Sequence, residues 1–116
     1  MTLYGDQATI SATTAGVTGT IKVPDGARLV GLNISMKTAD GGIISAIELI
    51  IPNLATPQRF NFTHGFGSIA TNMYGIALGD TPTIPLNIPI KGAQSVDVKV
   101  TTTANETVYV GLMWIA

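Results

Sequence analysis

Residues 94–115, with the sequence QSVDVKVTTTANETVYVGLMWI, decide the fold class of this chain. The first part of the stretch alternates apolar with polar side chains, namely Val96, Val98 and Val100 against Asp97, Lys99 and Thr101. A period of two is typical of a β-strand with one buried face. Ala104-Asn105-Glu106 predicts a turn that reverses the chain direction, and 107–115 predicts a second strand.

The same pattern recurs along the chain. Alternating segments between Gly, Pro and Asp turn signals predict further strands at 18–23, 28–37, 43–51, 73–78 and 84–90. Within 28–37 we expect two opposite rows, with Val30, Leu32, Ile34 and Met36 on one side and Leu29, Gly31 and Asn33 on the other. Because proline cannot donate to a ladder, Pro85 and Pro89 predict that 84–90 lies at a sheet edge or beside a bulge.

Short strands spaced by turns are typical of a β-sandwich or barrel. A chain of 116 residues and 12.0 kDa fits one domain. We therefore expect an all-β protein, an antiparallel β-sandwich of about eight strands over residues 1–116. Residues 1–20 predict either its first strand or an N-terminal arm that adds to the sheet of a neighbouring subunit.

Two halves of the chain share a faint repeat. IKVPDGA at 21–27 aligns with LNIPIKGA at 86–93, and the apolar residues of 30–34 align with those of 96–100. Each half is then strand, Pro–Gly corner, strand, turn, strand. Such a duplication favours a jelly roll, which is built from two Greek keys. The other interpretation is that any two β segments of similar pattern align this well.

Charge is scarce in this chain. It has 6 Lys and Arg and 7 Asp and Glu, so charged residues make up 11%, against roughly 25% in ordinary globular domains. This balance gives no electrostatic basis for direct nucleic-acid binding. With no Cys and one His, the chain offers no disulfide framework and no multi-histidine metal site. We also expect no membrane span and no signal peptide.

The scarcity of charge predicts self-assembly. Strands 43–51 and 107–115 are apolar on both faces, whereas one face of each strand in a two-layer sandwich should meet water. A neighbouring subunit would supply the missing cover. The alternative is a surface coated by the abundant Thr and Ser.

Glu48 is the odd residue of its apolar strand. A carboxylate in apolar surroundings needs a partner. One interpretation is an ion pair between subunits, formed with Arg28, Lys37 or Arg59. The other interpretation places Glu48 at a sheet edge in water.

The connection at 52–75 has the length of a functional loop. It holds every Phe of the chain and its single histidine, and the interface candidates there are Arg59, Phe60, Phe62, His64, Phe66 and Tyr74. The aromatic residues predict a contact between subunits, a short strand with a plug at the open end of the sandwich, or a ligand pocket. Trp114, in the apolar final strand, is expected in the core or at an interface.

The residue pattern favours a protein that is not an enzyme. The carboxylates closest in sequence to His64 are Glu48 and Asp80, a spacing typical of neither a catalytic triad nor a metal site. Most Asp residues lie in turns, which is their usual position. We expect no catalytic residue, no cofactor and no metal.

As a whole, the chain resembles the small jelly-roll proteins of virus capsids and virions. The resemblance rests on the corner Pro24-Asp25-Gly26-Ala27, the final strand 107–116, the few charges and the absence of Cys. It implies a structural protein of the virion that assembles with copies of itself and with other virion proteins. Capsid jelly rolls are commonly longer, and this departure argues against a major shell role and leaves a minor, penton-like or decorating role open.

A second function is left open by the residues. A carbohydrate-binding or adhesive β-sandwich would use the aromatic loop 59–74 as its contact surface. For localisation, the alternatives to the virion are the cytoplasm and the extracellular space, reached by a non-standard route.

Overall fold

The computed structural model describes residues 2–36, 42–52, 58–61 and 83–116, of which 58–61 is described by its backbone alone. These residues form eight strands: β1 (Leu3–Ala12), β2 (Val17–Val23), β3 (Arg28–Met36), β4 (Ile44–Ile50), β5 (Gln58–Asn61), β6 (Thr83–Pro89), β7 (Gln94–Thr102) and β8 (Glu106–Ile115). The ladders between them are antiparallel. The predicted all-β antiparallel sandwich is confirmed. The strand predicted at 73–78 lies outside the described residues.

The strands form two four-stranded sheets. Sheet A has the order β1-β8-β3-β6, and sheet B has the order β2-β7-β4-β5. The pairs β1 with β8, β2 with β7, β3 with β6 and β4 with β5 are successive parts of one long hairpin, folded over into two layers. This strand order is that of a jelly roll.

The core lies between the sheets and is formed by every second residue of the strands. In β7 and β8 the inward row is fully buried: Val96, Val98, Val100, Val108, Val110 and Leu112 are 0% exposed. Ile47 and Leu49 of β4, which pair with Val100 and Val98 in sheet B, are also 0% exposed. Burial of a side chain of this size stabilises by about 1.5–3 kcal/mol. The alternation predicted from 94–115 is thus confirmed.

Strand β3 departs from simple alternation. Its register against β8 runs from Leu29↔Trp114 to Gly31↔Met113, so Val30 is an extra residue in β3. Leu29 therefore faces the core and is 0% exposed. The prediction that Leu29 lies on the side of Gly31 is wrong, because a bulge shifts the phase of the side chains by one residue.

Strand β6 lies at an edge of sheet A, as its prolines predict. Pro85 pairs with Gly31, and Pro89 pairs with Arg28. The register between β3 and β6 also shifts between Leu29 and Gly31. Proline is tolerated at this position because an edge strand has one side without ladder partners.

The two Pro–Gly corners of the repeat meet in the structure. Gly26 and Gly92 have positive φ angles of 81° and 73°, which glycine adopts without strain. The Gly26 N–H donates to the Ile90 carbonyl at 3.1 Å, and the Ile90 N–H donates to the Ala27 carbonyl at 2.8 Å. The Asp25 carboxylate accepts from the Gly92 N–H at 2.7 Å. The strands and corners of both halves follow the order that the repeat predicts.

The N-terminal strand pairs within its own chain. β1 pairs with β8 along its whole length. Beyond the strand ends, Thr2 and Ala116 exchange two backbone hydrogen bonds, of 3.3 and 3.2 Å. At the other end, the Thr102 N–H donates to the Thr13 carbonyl at 3.1 Å, where the chain passes from sheet A to sheet B. Residues 3–12 are therefore a strand of the chain's own sandwich.

Candidate functional site

The side of sheet A that points away from the core carries almost no charge. This outer face of sheet A is formed by the alternate residues of its strands: Leu3, Gly5, Gln7, Thr9, Ser11, Thr107, Tyr109, Gly111, Met113, Ile115, Arg28, Gly31, Asn33, Ser35, Thr83, Pro85, Asn87 and Pro89. Arg28 is the one charged residue of this set. Its guanidinium donates to Asn87 Oδ1 at 2.6 Å, so this charge already has a hydrogen-bond partner in the chain.

Glycines leave the middle of this face without projecting side chains. Gly5 and Gly31 flank Met113 in one row across the sheet. A Cβ on Gly31 would collide with the Met113 side chain. The missing side chain therefore lets the Met113 thioether lie across the neighbouring strand instead of standing out from it.

The next row across the sheet is polar and neutral. It consists of Gln7, Gly111, Asn33 and Thr83. The Thr83 hydroxyl donates to Asn33 Oδ1 at 2.8 Å. The Asn33 amide lies 3.7 Å from the sulfur of Met113, which is a weak acceptor. These contacts orient the Asn33 side chain in the centre of the face.

Gly111 leaves a shallow double depression in this face. One part, of about 320 Å³, is lined by Gln7, Asn33, Ser35, Thr83 and Tyr109 among others. The second part, of about 360 Å³, shares Gln7, Asn33 and Gly111 with the first. Asp6 also lines the second part. The other polar groups of the lining are neutral amides, hydroxyls and a thioether, which suit hydrogen bonding and apolar packing.

The outer face of sheet B is charged by contrast. It is formed by Thr18, Thr20, Lys22, Ser95, Asp97, Lys99, Thr101, Ala46, Glu48 and Ile50. Positive and negative residues are interspersed on it. The Thr20 hydroxyl donates to Asp97 Oδ1 at 2.7 Å. Such mixed charge is typical of a surface that meets water.

The position of Glu48 in the sheet differs from the prediction. β4 is an inner strand of sheet B, between β7 and β5, so the prediction of an edge position is wrong. Glu48 lies opposite Arg59 of β5 and opposite Lys99 of β7. Arg28, another predicted partner, belongs to the other sheet. Two cationic positions of the same chain thus flank Glu48, and an ion pair to another subunit stays a prediction.

The aromatic loop is described only at its start. Arg59 and Phe60 belong to β5, and the backbone of Phe60 pairs with that of Ile47. The remaining candidates, together with Lys37, lie outside the described residues: Phe62, His64, Phe66 and Tyr74. The roles predicted for them stay predictions.

Trp114 belongs to the core and is 7% exposed. The Tyr4 ring stacks on it, with centroids 6.5 Å apart and planes inclined by 20°. Tyr4 is itself 48% exposed, and Leu3 beside it is 61% exposed. Neither of these β1 residues is among the contact residues predicted from the sequence, because 1–20 is predicted only as a whole, as a first strand or an arm.

Sequence reasoning also missed a buried carboxylate. Glu106 was expected in a turn, but it is the first residue of β8 and is 3% exposed. Its Oε1 accepts a hydrogen bond from the Gly42 N–H at 3.0 Å. Gly42 permits this approach, because a Cβ there would lie 2.9 Å from the Glu106 Cγ. The contact ties the segment before β4 to the start of β8.

Two kinds of feature are absent from the residues that the structure describes. In those ranges, no group of three or more His, Cys, Asp or Glu residues could hold a metal ion. The same residues include no helix with the length and hydropathy needed to cross a membrane.

Comparison with known proteins finds similarity in structure only. No family model and no curated protein match the chain. A chain of the cyanophage Pam1 capsid asymmetric unit is similar with a TM-score of 0.50 at 16% identity, over 97% of this chain and 82% of that chain. A chain in the structure of infectious bursal disease virus, Gt strain, has a TM-score of 0.34 at 15% identity, over 98% of this chain and 33% of that chain. The similarity to the Pam1 chain is one of fold.

Proposed function

We propose that this chain is a structural subunit of a virus particle that assembles with copies of itself. Its fold is similar to that of a chain in the cyanophage Pam1 capsid asymmetric unit, and jelly rolls are common in viral capsids. A fold alone does not determine function, so the proposal depends on the surface. The observation that carries it is the outer face of sheet A, on which Arg28 is the one charged residue among the described outward positions.

An uncharged face suits a protein contact for an electrostatic reason. Moving a charged side chain out of water is unfavourable by several kcal/mol unless it is well paired. Interface cores are accordingly depleted of charge. On the outer face of sheet A, the single cation Arg28 keeps Asn87 as its hydrogen-bond partner. Arg28 is exposed and is the first residue of β3, so a second copy could cover the rest of this face without desolvating a charged side chain.

Less apolar surface requires burial by a second copy than the sequence predicts. We place this surface on the outer face of sheet A. The two strands that are apolar on both faces, β4 and β8, are inner strands of their sheets. Neighbouring strands already half-bury the outward side chains of Tyr109, Met113 and Ile115. Burial of the remaining apolar area between copies would add roughly 25 cal/mol for each Å² removed from water.

The virion is the location that this function implies. The partners would be copies of the chain and other virion proteins, and the role is structural and not enzymatic. The carbohydrate-binding alternative stays a prediction, because most of the loop that it invokes lies outside the described residues.

Light scattering after size-exclusion chromatography, with electron microscopy of the eluted particles, tests the proposal. We expect defined oligomers or shells that persist at high salt, because salt screens contacts between charges and leaves an uncharged contact intact. A compact monomer at every concentration, in low and in high salt, would overturn the proposal.

A further inference from the structure

We propose that two copies of this chain pair through the free edge of β1, antiparallel and about a two-fold axis at Gln7, and that Asp6 opposes this pairing in the single chain. The inference rests on the proposed self-assembly and names its edge, its partner and its register. The partner is a second copy, because one strand paired with itself about a two-fold axis forms a closed, self-complementary contact.

The hydrogen-bonding pattern of β1 identifies the groups at its free edge. Thr2 and Ala116 each donate to the other's carbonyl, and hydrogen-bonded and non-hydrogen-bonded pairs alternate along an antiparallel ladder. The register against β8 is unbroken from Leu3 to Ala12. Even-numbered residues of β1 therefore bond to β8, and odd-numbered residues direct their N–H and C=O groups away from it. In the described part of the chain, β8 is the one strand that pairs with β1.

Of the edge strands in the described sheets, β1 is the least protected against a further strand. β6 contains Pro85 and Pro89, β2 carries Lys22, and β5 has 4 residues. Prolines, lysines and short length are the usual means of protecting a sheet edge. β1 has 10 residues and contains no proline, lysine or arginine.

One residue of β1 does protect the edge. Asp6 lies opposite Leu112, in the row that faces the core, and yet it is exposed. Its Oδ1 accepts a hydrogen bond from the Gln7 N–H at 2.8 Å. Gln7 is one of the odd-numbered residues, so the carboxylate occupies a donor that a second strand needs. An inward-facing charge on an edge strand is a recognised obstacle to edge-to-edge pairing.

The exposed apolar side chains of β1 point to the same edge. Leu3 and Tyr4 are the large hydrophobic residues with the highest exposure among the described residues, at 61% and 48%. Both lie at the start of β1. A second copy of β1 that runs antiparallel would bring its Ser11 and Ile10 beside them.

Charge and overlap select the register. A two-fold axis at Asp6 would place two carboxylates directly opposite each other, which is destabilising. An axis at Ala8 would leave Leu3 beyond the end of the partner strand. An axis at Gln7 places Asp6 opposite the second copy's Ala8, covers Leu3 and forms about ten backbone hydrogen bonds.

This pairing joins sheet A of one copy to sheet A of the second copy in one continuous sheet. Its strand order is β6-β3-β8-β1 followed by the same strands of the second copy in reverse. The two uncharged outer faces then lie side by side and form a single larger surface. This surface is available for further contacts in a shell.

Thr9→Pro tests the edge directly, with Thr9→Ala as the matched control. The Thr9 N–H points to the free edge, so proline removes an intermolecular donor and leaves the ladder to β8 intact. We expect Thr9→Pro to raise the dissociation constant of the dimer at least about tenfold relative to Thr9→Ala in analytical ultracentrifugation. Asp6→Asn is expected to lower it, because a neutral amide competes less strongly than a carboxylate for the Gln7 N–H.

A cysteine cross-link tests the register without relying on the proline variant. The chain has no Cys, so each single substitution reports on one position. Gln7→Cys places two thiols at the axis, on Cα atoms about 5.5 Å apart, within the range of a disulfide. Ser11→Cys places them at opposite ends of the paired strands. We expect a covalent dimer from Gln7→Cys alone under mild oxidation.

The outcomes separate this inference from the proposed function. Equal association of Thr9→Pro and Thr9→Ala, both shown to be folded by circular dichroism, overturns the edge pairing and leaves self-assembly standing. Equal cross-linking of Gln7→Cys and Ser11→Cys likewise overturns the edge pairing and leaves self-assembly standing. A wild-type chain that is monomeric at every concentration instead overturns the proposed function.

Discussion

The two outer faces of the sandwich differ in charge although one short chain forms both. On sheet A the described outward positions carry Arg28 alone, hydrogen-bonded to Asn87. On sheet B, Lys99 lies opposite Glu48, and Asp97 accepts a hydrogen bond from Thr20. The low charge content of the sequence is therefore not uniform in space. The scarcity falls mainly on one face, and this face is where we place the contact between copies.

The inner faces show no such difference, and the largest predicted effect comes from them. Leu112 of sheet A and Leu49 of sheet B are both 0% exposed. We expect Leu112→Ala and Leu49→Ala each to lower the free energy of unfolding by about 2–5 kcal/mol, through lost burial and the cavity left behind. Urea unfolding monitored by tryptophan fluorescence and circular dichroism measures both. A large loss for one variant and none for the other would contradict a core shared equally by the two sheets.

A charge placed on each outer face has the next largest predicted effect. Asn33→Lys and Thr20→Lys each replace an exposed residue that shares a hydrogen bond with a side chain of a neighbouring strand, and Asn33 also donates to the Met113 sulfur at 3.7 Å. We expect Asn33→Lys to raise the dissociation constant of the assembly at least about tenfold, since its charge must be desolvated in the contact. Thr20→Lys should leave assembly unchanged. Equal effects in light-scattering titrations of the two variants would argue against sheet A as the contact face.

The smallest predicted effect concerns the charged row of sheet B. Lys99→Glu places a second carboxylate opposite Glu48, and like charges directly opposite each other are destabilising. We expect a loss of about 0.2–1 kcal/mol in the free energy of unfolding, reduced by added salt. Lys99→Gln is the control, because it removes the attraction without adding repulsion. Identical melting midpoints for Lys99→Glu and Lys99→Gln would show that the row contributes nothing measurable.

Local pattern predicted most of the strands, and it failed where a local irregularity changed the phase. The valines of β7 alternate without interruption, and their burial follows the pattern. In β3 the extra residue Val30 reverses the side on which Leu29 lies. A bulge depends on how two strands match across the sheet, which the sequence of one strand does not record.

The candidate site was less predictable than the fold. Sequence reasoning looked for contacts in the aromatic loop and at Glu48. The structure places the uncharged surface on the strands instead, in a row that joins Gln7, Gly111 and Asn33. None of these residues is unusual in its own segment. Their lack of charge indicates a contact surface only because the folded sheet brings them together on one face.

By itself, the sequence determined that the chain forms short antiparallel strands with a valine- and leucine-rich inner row, because alternation with a period of two is a local property of each strand. The tertiary structure alone decided which outward residues share a face. β1 pairs with β8, so the first residues of the chain lie beside the last. Such long-range register depends on how whole strands match in a closed sandwich. It placed most of the outward-facing charges on sheet B and the least protected edge strand, β1, in sheet A.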